Sequence, residues 1–196
     1  MKKGNVQDFY FRKAKAEAYP ARSVYKLKEA QARFRLLFRG AKVLDLGCFP
    51  GSWLKYASEV VGPRGLVIGV DLKPVTKVQA NNIKTLQEDI TILEPQDLLA
   101  MAGGPFDVVL SDMAPNTIGH KTTDHLRQIA LARRAFELAK EVLIPTGALF
   151  VKVFEGQEFP DLLREVKETF YRVKVFKPKS SRSESRETYI FAQKRR

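Results

Sequence analysis

Apolar positions recur along the chain at two spacings, and the switches between them mark out its elements. Between Ala21 and Phe38 they fall three and four residues apart, at Val24, Leu27, Ala30, Phe34 and Leu37, which is the spacing of one helix face. Pro20 precedes that helix and Gly40 follows it. Val43, Leu44 and Leu46 then read as a short buried strand that breaks at Gly47 into a tight turn. A helix starts near Ser52 and carries Leu54, Tyr56, Ala57, Val60 and Val61. The run Gly65-Leu-Val-Ile-Gly-Val70 is a second strand and ends in Asp71, with loop across Leu72-Lys-Pro74. Beyond it, 82–86 reads as a strand leading to Glu88 and Asp89, 94–101 as a short helix closed by Gly103 and Gly104, and 106–110 as a buried strand ending at Ser111 and Asp112. A basic loop around Gly119, His120 and Lys121 precedes a long helix over 123–143. The remainder divides into a turn at 145–147, a strand at 148–153, a helix at 159–169 and strands at 170–176 and 187–192, the last two joined by a Ser/Arg/Lys loop.

Strands alternating with helices predict an α/β fold, with a mostly parallel sheet and helices on both faces. The final two strands, connected by a loop rather than a helix, predict an antiparallel edge strand. Residues 1–20 are polar and basic and are expected to form a partly mobile arm. Residues 21–196 are expected to form one domain, with no internal repeat and no linker.

The turn after the first strand is the first candidate for chemistry. Gly47 and Gly51 allow backbone to turn sharply and to approach a ligand without a Cβ in the way. The helix amides and Asp45 are expected to form a polar lip at the carboxyl end of a strand, where open α/β sheets bind ligands. Asp71 lies about twenty residues on, at the spacing that reaches the hydroxyls of a ribose. A dinucleotide site calls for G-x-G-x-x-G, with a pyrophosphate on the helix N-terminus. Here Cys48, Phe49 and Pro50 fill the turn and an acid precedes it, which repels a pyrophosphate and suits a cationic amino-acid nucleoside such as S-adenosylmethionine. A purely structural strand-turn-helix is the remaining reading.

Charge adds a partner class. The chain of 196 residues carries a formal net charge of +12, which calls for an anionic partner. The basic residues crowd the two ends: Lys2, Lys3, Arg12, Lys13, Lys15 and Arg22 at one, and Lys177, Lys179, Arg182, Arg186, Lys194, Arg195 and Arg196 at the other. Tyr10, Phe11, Tyr19 and Tyr25 lie among the first group, where aromatic rings can stack on bases. RNA or DNA is therefore the expected partner, with Arg12, Lys13, Arg22, Lys179, Arg182 and Arg186 as candidate contacts. No apolar run approaches the roughly 18–20 residues that span a bilayer, and the N-terminus has no apolar signal region, so a cytoplasmic protein with no membrane partner is expected. The single Cys48 excludes an internal disulfide and a cysteine zinc cluster, and neither His120 nor His125 has the spacing of a metal ligand.

Six segments carry a resemblance: Ser23-Val-Tyr-Lys-Leu27, Leu44-Asp-Leu-Gly-Cys-Phe-Pro-Gly-Ser-Trp53, Val70-Asp71, Ser111-Asp-Met-Ala-Pro115, Phe150-Val-Lys-Val-Phe154 and Ser185-Arg-Glu-Thr-Tyr189. In this order the chain closely resembles the FtsJ family of RNA ribose 2′-O-methyltransferases, from residue 23 to residue 192. The resemblance implies a Rossmann-like methyltransferase domain with a seven-stranded sheet, acting as a monomer. It implies a catalytic set of Lys26, Asp112, Lys152 and Glu187, with Lys152 as the base or deprotonating partner, Asp112 and Lys26 orienting the hydroxyl, and Glu187 in support. For S-adenosylmethionine it implies contacts from Gly47, Gly51, Trp53, Asp71, Asp89 and Asp112. Its bacterial-type members point to a uridine in the peptidyl-transferase region of large-subunit ribosomal RNA. The rivals are a transfer-RNA anticodon-loop or messenger-cap methyltransferase, a small-molecule methyltransferase, and a catalytically silent RNA-binding or assembly protein. Ser52 stands where the family usually has glycine, and Cys48 and Phe49 where small residues are common.

The residues speak for themselves only in part. Lys152 interrupts an otherwise apolar strand, where a lysine is costly unless paired or functional. Lys26 by itself is a solvated residue of an amphipathic helix, and Glu187 by itself opens a strand. An intact Lys-Asp-Lys-Glu set argues against the silent reading, which has no chemical need for it.

Overall fold

The computed structural model describes residues 4–115, 121–182 and 184–196. The expected loop around Gly119 and His120 lies outside them. In chain order the elements are α1 (Gly4–Ala16), α2 (Val24–Phe34), β1 (Lys42–Leu46), α3 (Ser52–Val61), β2 (Leu66–Asp71), β3 (Ile83–Gln87), α4 (Pro95–Ala102), β4 (Phe106–Ser111), α5 (Lys121–Val142), β5 (Leu143–Phe154), α6 (Phe159–Thr169), β6 (Phe170–Phe176) and β7 (Glu187–Arg195).

The strands form one seven-stranded sheet in the order β3-β2-β1-β4-β5-β7-β6. β1 to β5 pair in parallel, while β7 runs antiparallel to both β5 and β6. The antiparallel edge is thus a β6–β7 pair in which the last strand slots between β5 and β6.

Alternation along the strands splits the core in two. Leu44, Leu46, Val109, Leu149, Val151 and Ile190 join α4, α5 and α6 on one face. Val43, Val108, Leu110, Phe150, Tyr189 and Phe191 join α2 and α3 on the other. Side chains of period two on strands buried on both faces produce this division directly.

Three elements differ from expectation. Residues 4–16 form a helix, α1, where an arm was expected. Its tyrosines explain why: Tyr10 packs on Tyr25 with ring centroids 5.1 Å apart, and Ala14 is buried with Val24 and Tyr25. Tyr19 donates to Glu59 Oε2 at 2.5 Å, and the Lys28 ammonium lies 4.3 Å from its ring centroid. Burial in this cluster withdraws Tyr25 from base stacking, whereas Tyr10 and Tyr19 are half-buried and Phe11 stays 63% exposed.

α2 stops at Phe34 instead of Phe38, because Arg35 adopts a left-handed conformation (φ 54°). The Gln31 side-chain amide then pairs with both the N–H and the C=O of Leu37, at 2.8 Å each. Finally, the expected turn at 145–147 is absorbed into β5 as an irregularity: residues 144–147 oppose Asp107, between the Phe106–Leu143 and Val108–Ala148 pairs. No described helix is long and apolar enough to cross a membrane.

Candidate active site

β1 has β2 and β3 on one side and β4 and β5 on the other. That reversal of strand order opens a crevice at the carboxyl ends of the strands, where doubly wound sheets bind ligands. A cleft occupies it, lined by Gly47, Phe49, Asp71, Lys73, Asp89 and Asp112 among others.

The turn after β1 is shaped by close approach. Gly47 has φ +77°, and a Cβ there would lie 2.4 Å from Met113 Cγ. The N–H groups of Gly47 and Cys48 both donate to the Val70 carbonyl, at 2.8 and 3.2 Å, which locks the turn onto β2. Asp71 closes the far side: its Oδ2 accepts the Phe49 N–H and its Oδ1 the Lys73 N–H, each at 2.9 Å. Asp89 accepts the N–H and the hydroxyl of Thr91 at 2.8 Å each, and these two bonds hold its pKa below the usual carboxylate value. The Arg134 guanidinium fastens this loop to α5, donating to the carbonyls of Ile90 at 3.0 Å and Leu93 at 2.6 Å.

One expectation about the turn needs correction. Asp45 forms no lip: it is 1% exposed, and neither carboxylate oxygen meets a hydrogen-bond partner. Burial, reinforced by the negative charges of Asp112 and Asp71, pushes its pKa well above the usual carboxylate range. Gly51 and Trp53 stand outside the cleft lining. Gly51 instead supplies the left-handed backbone (φ 107°) before α3. The Trp53 indole lies against Phe150 and Tyr189, and its N–H donates to the Ser23 carbonyl at 2.8 Å. Ser52, the departure from the family pattern, accepts the Ala21 N–H on its hydroxyl at 2.6 Å. Both bonds tie the start of α3 to the segment that leads into α2.

α2, the end of β4, β5 and the start of β7 bring Lys26, Asp112, Lys152 and Glu187 together. Lys152 Nζ lies 3.1 Å from Asp112 Oδ1 and donates to the Asp112 carbonyl at 2.6 Å. Lys26 Nζ lies 3.6 Å from the same Oδ1 and 2.7 Å from Glu187 Oε2. Ser181 donates to the other Glu187 oxygen at 2.8 Å. Lys152 is 5% exposed, so the strand that reads as apolar does bury its lysine. Burial by itself raises the Asp112 pKa, but the Lys152 and Lys26 ammoniums and the Tyr189 hydroxyl outweigh it and hold the carboxyl below its usual value. Tyr189 donates to Asp112 Oδ1 at 2.6 Å. Sequence reasoning assigned it no role, although its place two residues after Glu187 was visible in the Ser185-Arg-Glu-Thr-Tyr189 segment.

The basic candidates flank this cluster on two elements docked against α2. Arg12 and Lys13 are exposed on α1, and Arg22 is half-buried just before α2. Lys179, Arg182 and Arg186 are exposed in the loop before β7, whose Lys179 and Ser180 N–H groups donate to Glu29 on α2 at 2.6 and 2.9 Å. His125 is buried on α5, with Nε2 2.5 Å from Glu158 Oε2.

A model of the FtsJ-like methyltransferase family matches residues 19–195. The chain is 49% identical over 191 residues to the ribosomal RNA large subunit methyltransferase E of Syntrophobacter fumaroxidans, covering 97% of each chain. It is 51% identical over 183 residues to the protein of the same name from Desulfosudis oleivorans, covering 93% of this chain and 88% of that one. Among solved structures, a putative ribosomal RNA methyltransferase from Plasmodium falciparum superposes with a TM-score of 0.77 at 27% identity, over 90% of this chain and 98% of that one. A chain of a fibrillarin/Nop5p complex shares the fold, with a TM-score of 0.63 at 21% identity over 85% of this chain and 78% of that one.

Proposed function

The chain belongs to the FtsJ-like methyltransferase family, and on that premise we propose that it transfers a methyl group from S-adenosylmethionine to a ribose 2′-hydroxyl of large-subunit ribosomal RNA, acting as a cytoplasmic monomer on a uridine of the peptidyl-transferase region. The observation that carries the reading is the convergence of Lys152 and Lys26 on one oxygen of Asp112, at 3.1 and 3.6 Å, beside a cleft that Asp112 itself lines. The relatives' shared name supports the substrate class.

The lining supports the cofactor. Among the described residues, Asp71, Glu88, Asp89 and Asp112 face the cleft against the single cation Lys73, a set that suits a positively charged ligand and disfavours a pyrophosphate. Gly47, Gly51 and Trp53 are assigned to the turn and the methionine end, Asp112 to the reactive methyl, Asp71 to the ribose and Asp89 to the adenine. When bound, S-adenosylmethionine supplies an electrophilic methyl on a sulfonium.

The protein's part is to place the hydroxyl in line with that methyl and to receive its proton, and much of such catalysis is positioning. We assign Lys152 as the proton acceptor once it has released its own proton to solvent and stands as the neutral amine, Asp112 and Lys26 as the groups that orient the hydroxyl, and Glu187 as the anchor of Lys26. Arg12, Lys13, Arg22, Lys179, Arg182 and Arg186 are assigned to the RNA backbone.

Transfer of labelled methyl from S-adenosylmethionine to ribosomal particles and to bulk transfer RNA tests this, with Lys152→Ala as control. The expected result is label in the ribosomal sample alone, recovered in alkali-resistant dinucleotides and absent with the variant. Label only in transfer RNA moves the substrate to that class. Cofactor binding without label in either leaves the silent RNA-binding protein.

A further inference from the structure

β4 and β5 do not end together. The last β4 residue to pair is Ser111, opposite Val151, and β5 continues through Phe154 with β7 alone beside it. β4 stops at the point where the chain carries Asp112 into the catalytic cluster. On the side that β4 vacates, the Lys152 carbonyl and the Phe154 N–H have no strand to pair with. Unpaired, two buried peptide groups at this place would leave the end of β5 free to bend.

Gln128 of α5 occupies the gap. It is fully buried; its Nε2 donates to the Lys152 carbonyl at 2.8 Å and its Oε1 accepts the Phe154 N–H at 2.9 Å. A primary amide has the donor and acceptor of a peptide group, so it continues the ladder where the neighbouring strand has left. Gln31 pairs differently, with the N–H and C=O of the single residue Leu37, where it shapes the exit from α2.

We infer that Gln128 is a positioning residue for methyl transfer: its side-chain amide stands in for the missing β4 peptide and fixes the backbone from which Lys152 reaches Asp112. The inference rests on the role given to Lys152 above. Gln128 does not line the cleft, so it acts on the placement of the lysine and not on the affinity for cofactor. Two substitutions separate its two bonds. Gln128→Met keeps the length and loses both. Gln128→Glu keeps an acceptor for Phe154 and, as the carboxylate, sets an oxygen against the Lys152 carbonyl, whereas its protonated form restores both bonds.

The test measures kcat on the RNA substrate, the Kd for S-adenosylmethionine and amide exchange at Phe154, with folding checked by circular dichroism at the assay temperature. Misplacement of a reacting group by about 1 Å costs on the order of 100-fold, so kcat is expected to fall about 10- to 100-fold in both variants while Kd stays within about twofold. Exchange of the Phe154 amide is expected to quicken in Gln128→Met and to stay slow in Gln128→Glu. A folded Gln128→Met with wild-type kcat overturns the inference; if that variant does not fold, a folded Gln128→Glu with wild-type kcat and its introduced carboxyl ionised by isotope-edited infrared overturns it, whereas wild-type kcat with that carboxyl protonated is rescue of both bonds and supports it. Lys152→Ala in the same assay separates the two levels: full activity there removes the reading of Lys152 itself, whereas an inactive Lys152→Ala beside either overturning result removes only the role of Gln128.

Discussion

The Tyr189 hydroxyl donates to Asp112 Oδ1 at 2.6 Å, on the same oxygen that faces Lys152 and Lys26. Tyr189 is fully buried, stacked on Phe150 with ring centroids 4.7 Å apart, so it has no freedom to bond elsewhere. A hydrogen bond to a buried charge contributes about 1.5–3 kcal/mol. Tyr189→Phe is therefore expected to lower kcat at least about tenfold. Because that bond helps hold the Asp112 pKa down, the acid limb of the pH–rate profile should move to higher pH. An acid limb that moves lower, or not at all, would show that the bond does not tune the carboxylate.

Asp112 and Asp45 make opposite demands on stability. Asp112 is depressed in the fold, so its stabilisation is present above the unfolded value of about 3.9 and is lost as pH falls through its lower folded value. Asp45 is raised, so its contribution is full below about 3.9 and is lost as pH climbs through the raised value. Asp45→Asn is expected to raise the melting temperature by several degrees near about pH 8, at about 2–4 °C per kcal/mol, with the gain shrinking toward about pH 4. An equal gain at both ends would contradict this account of the buried carboxylate.

Arg134 bears on the cofactor and not on the chemistry. Its two bonds to the Ile90 and Leu93 carbonyls hold the loop that carries Asp89 against α5. Arg134→Ala is expected to weaken S-adenosylmethionine binding about tenfold, or about 1.4 kcal/mol, with kcat at saturation unchanged. Isothermal titration beside saturation kinetics checks it; a loss confined to kcat would place the effect elsewhere.

Arg182 and Arg186 project from a loop held to α2 through Glu29, so they present charge beside Lys26. Replacing both with alanine should weaken RNA binding at low salt and reduce the slope of log K against log salt. The reduction is about 0.7 per lost phosphate contact for single strands and about 0.9 for duplex. A parallel displacement with an unchanged slope would take this loop off the RNA surface.

Much of this architecture is legible in the sequence, because period and punctuation carry it. The apolar runs of β1, β4 and β5 and the three-four spacing of α2 and α3 predict the layers, and a lysine inside the apolar run of β5 stands out as a candidate whose role only the resemblance supplies. What escapes is whatever depends on a neighbour distant in sequence. Tyr25 looks like a stacking residue among basic ones until α1 is seen folded onto α2. Asp45 looks like part of a lip until β2 and β4 are seen to enclose β1 on both sides. Trp53 sits in the motif but reaches back to Ser23, thirty residues away. Gln128 is an unremarked polar residue of a long helix, and nothing local says that a strand ends opposite it.

The place of β7 has a consequence for how the protein is made. It follows β6 in the chain yet lies inside it, so the sheet cannot be laid down in the order of synthesis. β6 has no partner in the sheet other than β7 and must wait for it. Glu187 and Tyr189 arrive on that same strand, so a nascent chain that stops short of them holds Lys26 without Glu187 and Asp112 without Tyr189. Completion of the sheet and completion of the Lys26, Asp112, Lys152 and Glu187 cluster are thus one late event, and a partly synthesised protein has neither.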